Sequence, residues 1–435
     1  MSRRPGIPLR AEDALFLYAQ GPLLSQQVGA VLLLEPTAPG IGALRAAVRE
    51  RAALVPALGY RLEAAASRWR RPRWVADDDI DIRSRVREMR CGEDGNPRTS
   101  GGVIDAFFSQ GCDPYRSPWE IWLIPGAPGD RTAVAVKIHH ALGDSHGIIT
   151  ALTRLLDPET GAIPAFTAGR RPARREDGSG RVREGLRVLR GFGHLVAAGT
   201  APDIAVCGDF TAADRRFAST ALPARDVART ARGLDTQICD LLLTLTAEAL
   251  GRLLRSRGEE TAGQSARIAV PRASSGSGPG PGGRPRNRTA AVTLDVPVWE
   301  TTPVERLTAV RGQVAAHVRR GDDAAAAMVL RSMNLLPPPL QRRAAVQLYQ
   351  RRWFNLLVSV FPGTRRRYRL LGARVEAAYP VLALADGVGL AIGAMTWERS
   401  LSVGVLADAA LVPDADKLAA EIHTAFELYK AAARL

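Results

Sequence analysis

Two adjacent histidines, His139 and His140, stand at the end of a strand-like apolar run. The segment 134–145 reads V-A-V-K-I-H-H-A-L-G-D-S, so Asp144 follows the second histidine by four residues. The chain has only six histidines. An imidazole titrates near neutral pH, where it can accept a proton from a substrate. The residue types and their placement therefore predict a general base at the end of a strand.

The segments around the histidines alternate between strand and helix patterns. Apolar runs predict strands at 28–34, 121–123 and 133–138, and the spacing of apolar residues predicts helices at 42–54 and 147–156. The histidines would then lie in a loop between a strand and a helix, where rigid elements on both sides position them. This order of elements indicates an α/β fold.

The composition changes after about residue 158. The segment 164–177 is rich in Pro, Gly and Arg, which predicts a crossover between two halves. The basic amphipathic pattern at 181–196 is typical either of a helix on a membrane surface or of a helix packed on the core with solvated arginines. Beyond residue 209 we expect a buried helix at 240–254, a surface loop at 273–286, a C-terminal helix at 416–432, and strands at 267–270, 292–298, 375–379, 389–395 and 401–406.

Length, charge and cysteine usage limit the classes of protein. The 435 residues are 46% hydrophobic, enough for a sizeable core. No run of about 18 apolar residues exists, and none follows the basic N-terminus, so we predict neither a transmembrane helix nor a signal peptide. The four scattered cysteines fit a reducing compartment without disulfides or zinc. We therefore expect a cytoplasmic protein.

The net charge of +15 favours anionic partners, such as lipid headgroups or the phosphates of coenzyme A. Nucleic acid is disfavoured, because the aromatic residues do not interleave with the basic clusters. We expect peripheral contact with an anionic membrane if the amphipathic pattern at 181–196 is an interfacial helix.

An ordered set of motifs resembles the wax ester synthase/diacylglycerol acyltransferase family. His139, His140 and Asp144 match the H-H-x-x-x-D motif of the wider superfamily of CoA-dependent acyltransferases, which includes chloramphenicol acetyltransferase and condensation domains. The remaining landmarks lie, in chain order, at 12–17 (EDALFL), 28–34 (VGAVLLL), 117–124 (SPWEIWLI), 361–363 (FPG), 379–380 (YP), 385–390 (ADGVGL) and 406–408 (LAD). Together they run over nearly the whole chain.

The resemblance implies an α/β protein of two chloramphenicol acetyltransferase-like subdomains, with the active site in a tunnel between them. We place the N-terminal subdomain at 1–163, the basic crossover at 164–208 and the C-terminal subdomain at 209–435. We expect a bacterial enzyme of lipid or specialised metabolism.

The resemblance also implies a reaction and roles for the motif. The protein would transfer an acyl group from acyl-CoA to a hydroxyl acceptor and form an ester. His140 would be the general base, His139 would be structural, since adjacent residues at a strand end point in different directions, and Asp144 would hold the loop through an arginine. We expect no cofactor and no metal ion, and the CoA thioester is a co-substrate.

Three positions depart from the family's pattern. Ser145 stands where a glycine usually follows the aspartate, Cys239 stands in place of the asparagine of an Asn-Asp pair, and Val360 replaces an asparagine before the later Pro-Gly. Amides at such positions can orient substrate or stabilise an oxyanion. The identity of the acceptor is therefore left open.

Weaker candidates for contacts with the donor or substrate are Ser145, Gly143, Asp240, Arg365 and Arg366. The two arginines follow the Pro-Gly turn and could bind CoA phosphates, although a solvated charge run is equally consistent with the sequence. The phosphopantetheine arm of a carrier protein would suit the same site.

The sequence is also consistent with three different functions. The segment 143–147 spells G-x-S-x-G, the nucleophile elbow of α/β-hydrolases, so Ser145 could serve a serine esterase. Five residues separate that serine from the predicted strand end, whereas an elbow joins strand and helix directly. The second function is an acyltransferase repurposed for a carrier-bound donor or an amine acceptor. The third is a non-catalytic protein that binds acyl groups or lipids.

Overall fold

The computed structural model describes residues 6–36, 39–90, 100–127, 131–143, 147–148, 152–159, 199–273, 289–320 and 322–433. The predicted crossover at 164–177 and the predicted helix at 181–196 lie outside these ranges. So do nearly all of the predicted loop at 273–286, and Asp144 and Ser145.

Helices and strands are interspersed along the described chain. The strands are β1 Ile7–Pro8, β2 Gln27–Leu34, β3 Tyr60–Glu63, β4 Arg73–Ala76, β5 Val86–Glu88, β6 Trp119–Ala127, β7 Arg131–His139, β8 Asp157–Pro158, β9 Arg215–Pro223, β10 Ser265–Ala273, β11 Thr289–Pro297, β12 Leu356–Thr364, β13 Tyr368–Leu370, β14 Ala373–Val381, β15 Leu390–Trp397 and β16 Ser400–Asp408. The helices are α1 Ala11–Ala19, α2 Ile41–Arg51, α3 Ile82–Arg85, α4 Ser100–Ser109, α5 Ala224–Gly233, α6 Ile238–Ser256, α7 Pro303–Arg320, α8 Asp322–Ser332, α9 Pro338–Leu348 and α10 Ala415–Ala432.

Most strands belong to two large mixed sheets. The first has seven strands in the order β5-β6-β7-β2-β14-β13-β8, and the second has six in the order β11-β10-β12-β15-β16-β9. Each sheet supports its own apolar core. We call the first sheet with α1–α4 the first body, and the second sheet with α5–α7 and α10 the second body. The predicted α/β fold with two sheet-rich bodies is confirmed.

The strands at the centre of the first sheet read as apolar runs because both of their faces are covered. Seven of the eight residues of β2 are buried, and eight of the nine residues of β7 are buried. The alternation of apolar and polar residues that marks a half-exposed strand is absent there for the same reason. The strands predicted at 28–34, 121–123 and 133–138 are β2, β6 and β7.

The two bodies are joined at several points near the end of β7. Strand β14 follows residue 209 in the chain but pairs antiparallel with β2 of the first sheet. At the edge of the second sheet, the backbone N–H groups of Arg215 and Phe217 donate to Ser109 and Asp105 of α4, at 2.8 and 2.7 Å. A division of the chain at residue 208 therefore does not separate the strands of the two sheets, and the subdomain boundaries themselves stay a prediction.

The contact between β2 and β7 leaves no room for a side chain at Gly29. A Cβ atom there would lie 1.8 Å from the carbonyl oxygen of Val136. We predict that Gly29→Ala lowers the free energy of unfolding by about 1–3 kcal/mol, because backbone atoms of two central strands must separate. The matched control is Gly312→Ala on α7, where a Cβ meets nothing within 4 Å and helix propensity gives up to about 1 kcal/mol of stabilisation. Urea unfolding measures both, and equal effects would contradict the packing described.

Candidate active site

The histidine pair lies at the point where the chain leaves the first sheet. His139 is the last residue of β7 and pairs in register with Gln27 of β2. His140 begins a 3₁₀ turn that ends at Leu142, and its backbone N–H donates to the carbonyl of Gln26 at 2.8 Å. The two rings are therefore held by different elements, one by the strand and one by the turn.

His139 is fully buried and hydrogen-bonded through both ring nitrogens. Its Nδ1 accepts from the backbone N–H of Ala141 at 3.1 Å, and its Nε2 lies 2.8 Å from Oε1 of Gln20. Because Nδ1 accepts, Nε2 carries the proton and donates it to the glutamine oxygen. Burial, and then the neighbouring His140, lower the pKa of His139 to about 3. This imidazole is therefore neutral at physiological pH.

The ring of His140 stacks on the phenyl ring of Phe16. The two centroids are 3.7 Å apart and the planes differ by 13°. Phe16 lies on α1 and also contacts the edge of Tyr349, with the ring centroids 5.7 Å apart. Such stacking occupies one face of the imidazole, and the ring nitrogens lie at its edge. The side chain is only 8% exposed, so the ring has a fixed plane.

A second buried polar residue, Lys137, supports the same strand. Its ammonium is fully buried and donates to the carbonyls of Phe107 and Gln110, at 2.6 and 2.7 Å, at the C-terminal end of α4. A cation at that end of a helix satisfies its last carbonyls. The carboxylate of Glu120 lies 3.4 Å away, and burial lowers the pKa of the lysine. Lys137 ties β7 to α4 two residues before the histidines.

A cavity of about 310 Å³ opens between the two bodies, next to residues that contact His139. Its walls include Gln20 and Gln27, which contact or pair with His139, and Arg215 and Leu406 of the second sheet. The fully buried side chain of Gln26 donates to the carbonyl of Leu384, another residue of the cavity wall, at 2.9 Å. Residues of both sheets thus line this cavity.

The remaining predicted site residues are distributed over both bodies. Gly143 is buried and follows the 3₁₀ turn, and its N–H donates to the carbonyl of His140 at 3.3 Å. Asp240 is half-buried in the first turn of α6, whereas Arg365 and Arg366 are exposed between β12 and β13. The structure brings His139, His140 and Gly143 together. The roles given to Asp144, Ser145, Asp240 and the two arginines stay predictions.

Sequence reasoning missed Phe16, Gln20 and Gln26 as parts of the site. Phe16 lies in the opening motif at 12–17, but no spacing rule links it to a histidine 124 positions later. The two glutamines carry no motif, and their roles follow only from the fold. Among the described residues, no group of three or more His, Cys, Asp or Glu side chains could hold a metal ion. No helix in the described ranges has both the length and the apolar character to cross a bilayer.

Comparison with known families decides the class of the protein. The model of the wax ester synthase/diacylglycerol acyltransferase catalytic domain matches residues 9–242, and the model of the C-terminal domain of that family matches residues 286–430. This chain belongs to that family. The predicted family and the predicted class of enzyme, an O-acyltransferase, are confirmed.

Individual relatives match this chain over almost its full length. The chain is 26% identical to the probable diacylglycerol O-acyltransferase tgs1 of Mycobacterium tuberculosis, covering 95% of this chain and 93% of the relative. The structure of the wax ester synthase/diacylglycerol acyltransferase from Marinobacter aquaeolei VT8 matches with a TM-score of 0.72 at 20% identity, covering 99% of this chain and all of that one. The first condensation domain of the calcium-dependent antibiotic synthetase matches with a TM-score of 0.63 at 15% identity, covering 99% and 96%. The two structures show that the fold is shared.

The buried, neutral His139 makes stability depend on pH. Its pKa is about 3 in the folded state, below the ordinary value of 6.5 that applies on unfolding. The unfolded state therefore binds one more proton in this window, and stability is lost as the pH falls below about 6.5. Between pH 7 and pH 5 we expect the free energy of unfolding to fall by about 2 kcal/mol more in the wild type than in His139→Gln.

Urea unfolding of the two proteins at both pH values measures this difference. The variant need not be as stable as the wild type, because only the change with pH is compared. Parallel pH dependences would show that His139 is not a neutral buried group.

Proposed function

We propose that this acyltransferase moves an acyl group from an acyl-CoA thioester to a hydroxyl acceptor, with His140 as the general base. The observation that carries the proposal is the position of His140. It follows a buried neutral histidine at the end of β7, and its ring is held in a fixed plane against Phe16. A base must be held within hydrogen-bond reach of the proton that it removes.

The two histidines are not interchangeable in this role. Both nitrogens of His139 are engaged by protein groups, and its pKa of about 3 makes it a poor proton acceptor. His140 begins the turn beyond the sheet and is the second histidine of the motif. We therefore assign the proton transfer to His140 and the positioning of the turn to His139.

The proposed reaction is a direct transfer in two proton steps. A ring nitrogen of His140 takes the proton of the acceptor hydroxyl as its oxygen attacks the thioester carbonyl. The tetrahedral intermediate then collapses, so the carbon–sulfur bond breaks and the new ester remains. The departing CoA thiolate receives the proton from the imidazolium, which returns the enzyme to its starting state. No covalent acyl-enzyme is formed.

Two cavities support a donor with a polar arm and an apolar chain. The cavity beside Gln20 and Gln27 has polar walls and lies between the bodies, where a pantetheine arm could approach the histidines. A second cavity, on the face of the first sheet covered by α2, is lined by apolar side chains that include Leu32, Leu44 and Val134. Its apolar walls suit a hydrocarbon chain, although its volume of about 40 Å³ holds only a short one. A tunnel through both bodies is part of this proposal.

The acceptor is the substrate whose identity the site residues constrain least. The mycobacterial relatives are named as diacylglycerol acyltransferases, and the Marinobacter structure as a wax ester synthase as well, which supports a lipid hydroxyl. Cys239 and Val360 stand where the family pattern has amides, so a different hydroxyl acceptor is compatible with the site. Because lipid acceptors reside in membranes, peripheral contact with an anionic membrane belongs to the proposal.

Removal of the base should abolish most of the transfer. We predict that His140→Ala lowers kcat/KM for acyl transfer by at least about a hundredfold, the usual scale of general-base catalysis. The matched control is His423→Ala, which removes an exposed histidine of α10 and should leave the rate unchanged. Product formation from acyl-CoA and a panel of alcohols, followed by mass spectrometry, measures the rates.

A serine esterase would show the opposite order of activities in the His140 and Ser145 variants. Ser145→Ala should retain most of the transfer activity if His140 acts as the base, since no covalent intermediate forms on the serine. An inactive Ser145→Ala together with an active His140→Ala would contradict the proposal and favour a serine nucleophile.

A further inference from the structure

Two segments, a connection and the start of a helix, lie side by side on the surface that covers α1. One segment, 66–71, is part of the connection between β3 and β4, and the other, 335–343, runs into α9. Arg71 joins them, since its guanidinium donates to Oε1 of Gln341 at 2.9 Å and to the carbonyl of Asn334 at 3.1 Å. We call these two segments the docking surface.

The docking surface exposes large apolar side chains. Trp69 is 59% exposed, Leu335 is 86% exposed and Leu340 is 52% exposed. Single exposed apolar residues are common, but a group of them on adjoining segments marks a surface that binds something apolar.

The same segments are strongly basic. They contain Arg68, Arg70 and Arg71 on one side and Arg342 and Arg343 on the other, and neither segment contains Asp or Glu. The guanidinium of Arg68 lies 5.2 Å from the centroid of the Trp69 ring. Tryptophan and arginine side chains are common in the headgroup region of a bilayer. There the indole ring lies at the boundary with the hydrocarbon, and the guanidinium groups contact the phosphates.

The docking surface connects directly with the catalytic histidine through α1. Asn334, next to Leu335, accepts the backbone N–H of Ala11 at the start of α1. Arg342 of α9 lies 5.1 Å from the ring of Tyr18 on the same helix. Phe16, between these two points, carries the stack on His140. A single helix thus separates the surface from the site.

We propose that the docking surface binds an anionic lipid bilayer, with Trp69, Leu335 and Leu340 entering the interface and the exposed arginines, Arg68, Arg70, Arg342 and Arg343, contacting headgroup phosphates. The charge complementarity and the exposed apolar side chains carry the proposal. It rests on the proposed function for its purpose, which is to bring a lipid substrate to the side of α1 that faces His140. The binding itself requires no substrate.

The test is sedimentation of the full-length protein with vesicles of phosphatidylcholine, with and without phosphatidylglycerol. Wild-type protein should bind the anionic vesicles, and added salt should weaken binding, because the headgroup contacts are screened. The double variant Trp69→Ser/Leu335→Ser should bind about tenfold or more weakly, since two apolar side chains no longer enter the interface. Both positions are exposed, so the thermal unfolding temperature should not change.

The control variant is Val304→Ser on α7, which removes an apolar side chain of the same exposure as Trp69, at 59%. It should bind like the wild type. Equal binding by the double variant and the wild type would overturn the proposal, and so would absence of binding to anionic vesicles. If the wild type bound anionic vesicles but did not transfer acyl groups, the proposed function would be contradicted and the docking surface would still be supported.

Discussion

The site depends on one buried imidazole whose two nitrogens are both occupied. His139 receives the N–H of Ala141 on Nδ1 and donates from Nε2 to Gln20. A buried polar group without hydrogen-bond partners lowers the stability of the folded state. The folded state is therefore most stable when the strand ends at His139 and the chain turns at His140. The sharp turn that presents His140 is thus fixed by the hydrogen bonds of its neighbour.

That arrangement also depends on the segment that connects the two sheets. Gln20 follows α1, which carries Phe16 and packs against α9. Gln26, whose carbonyl accepts the N–H of His140, donates its side-chain amide to Leu384, which lies between β14 of the first sheet and β15 of the second. A displacement of this connection would therefore reach His140 through Gln26. The geometry of the proposed base thus depends on how the two sheets are connected.

The sequence predicts those elements whose residue pattern repeats over a few positions. The apolar runs of β2 and β7 and the buried helix α6 follow from periodicity, and the position of the histidines at a strand end follows from the run before them. The partners of those histidines come from distant segments with no local pattern. Phe16 and Gln20 become neighbours of residues 139 and 140 only after β2 pairs with β7. The sequence does not predict the pairing of β14 with the first sheet either, because long-range packing determines the order of the strands.

The measurement that tests this account most directly is the kinetics of Gln20→Leu, which removes the acceptor of the His139 proton and keeps the size of the side chain. His139 touches no substrate in the proposed mechanism. We therefore expect kcat to fall by about tenfold to a hundredfold through misplacement of His140. Gln20→Glu, which keeps an oxygen acceptor, should recover most of kcat. A folded Gln20→Leu enzyme with wild-type kcat would show that the buried histidine does not position the base.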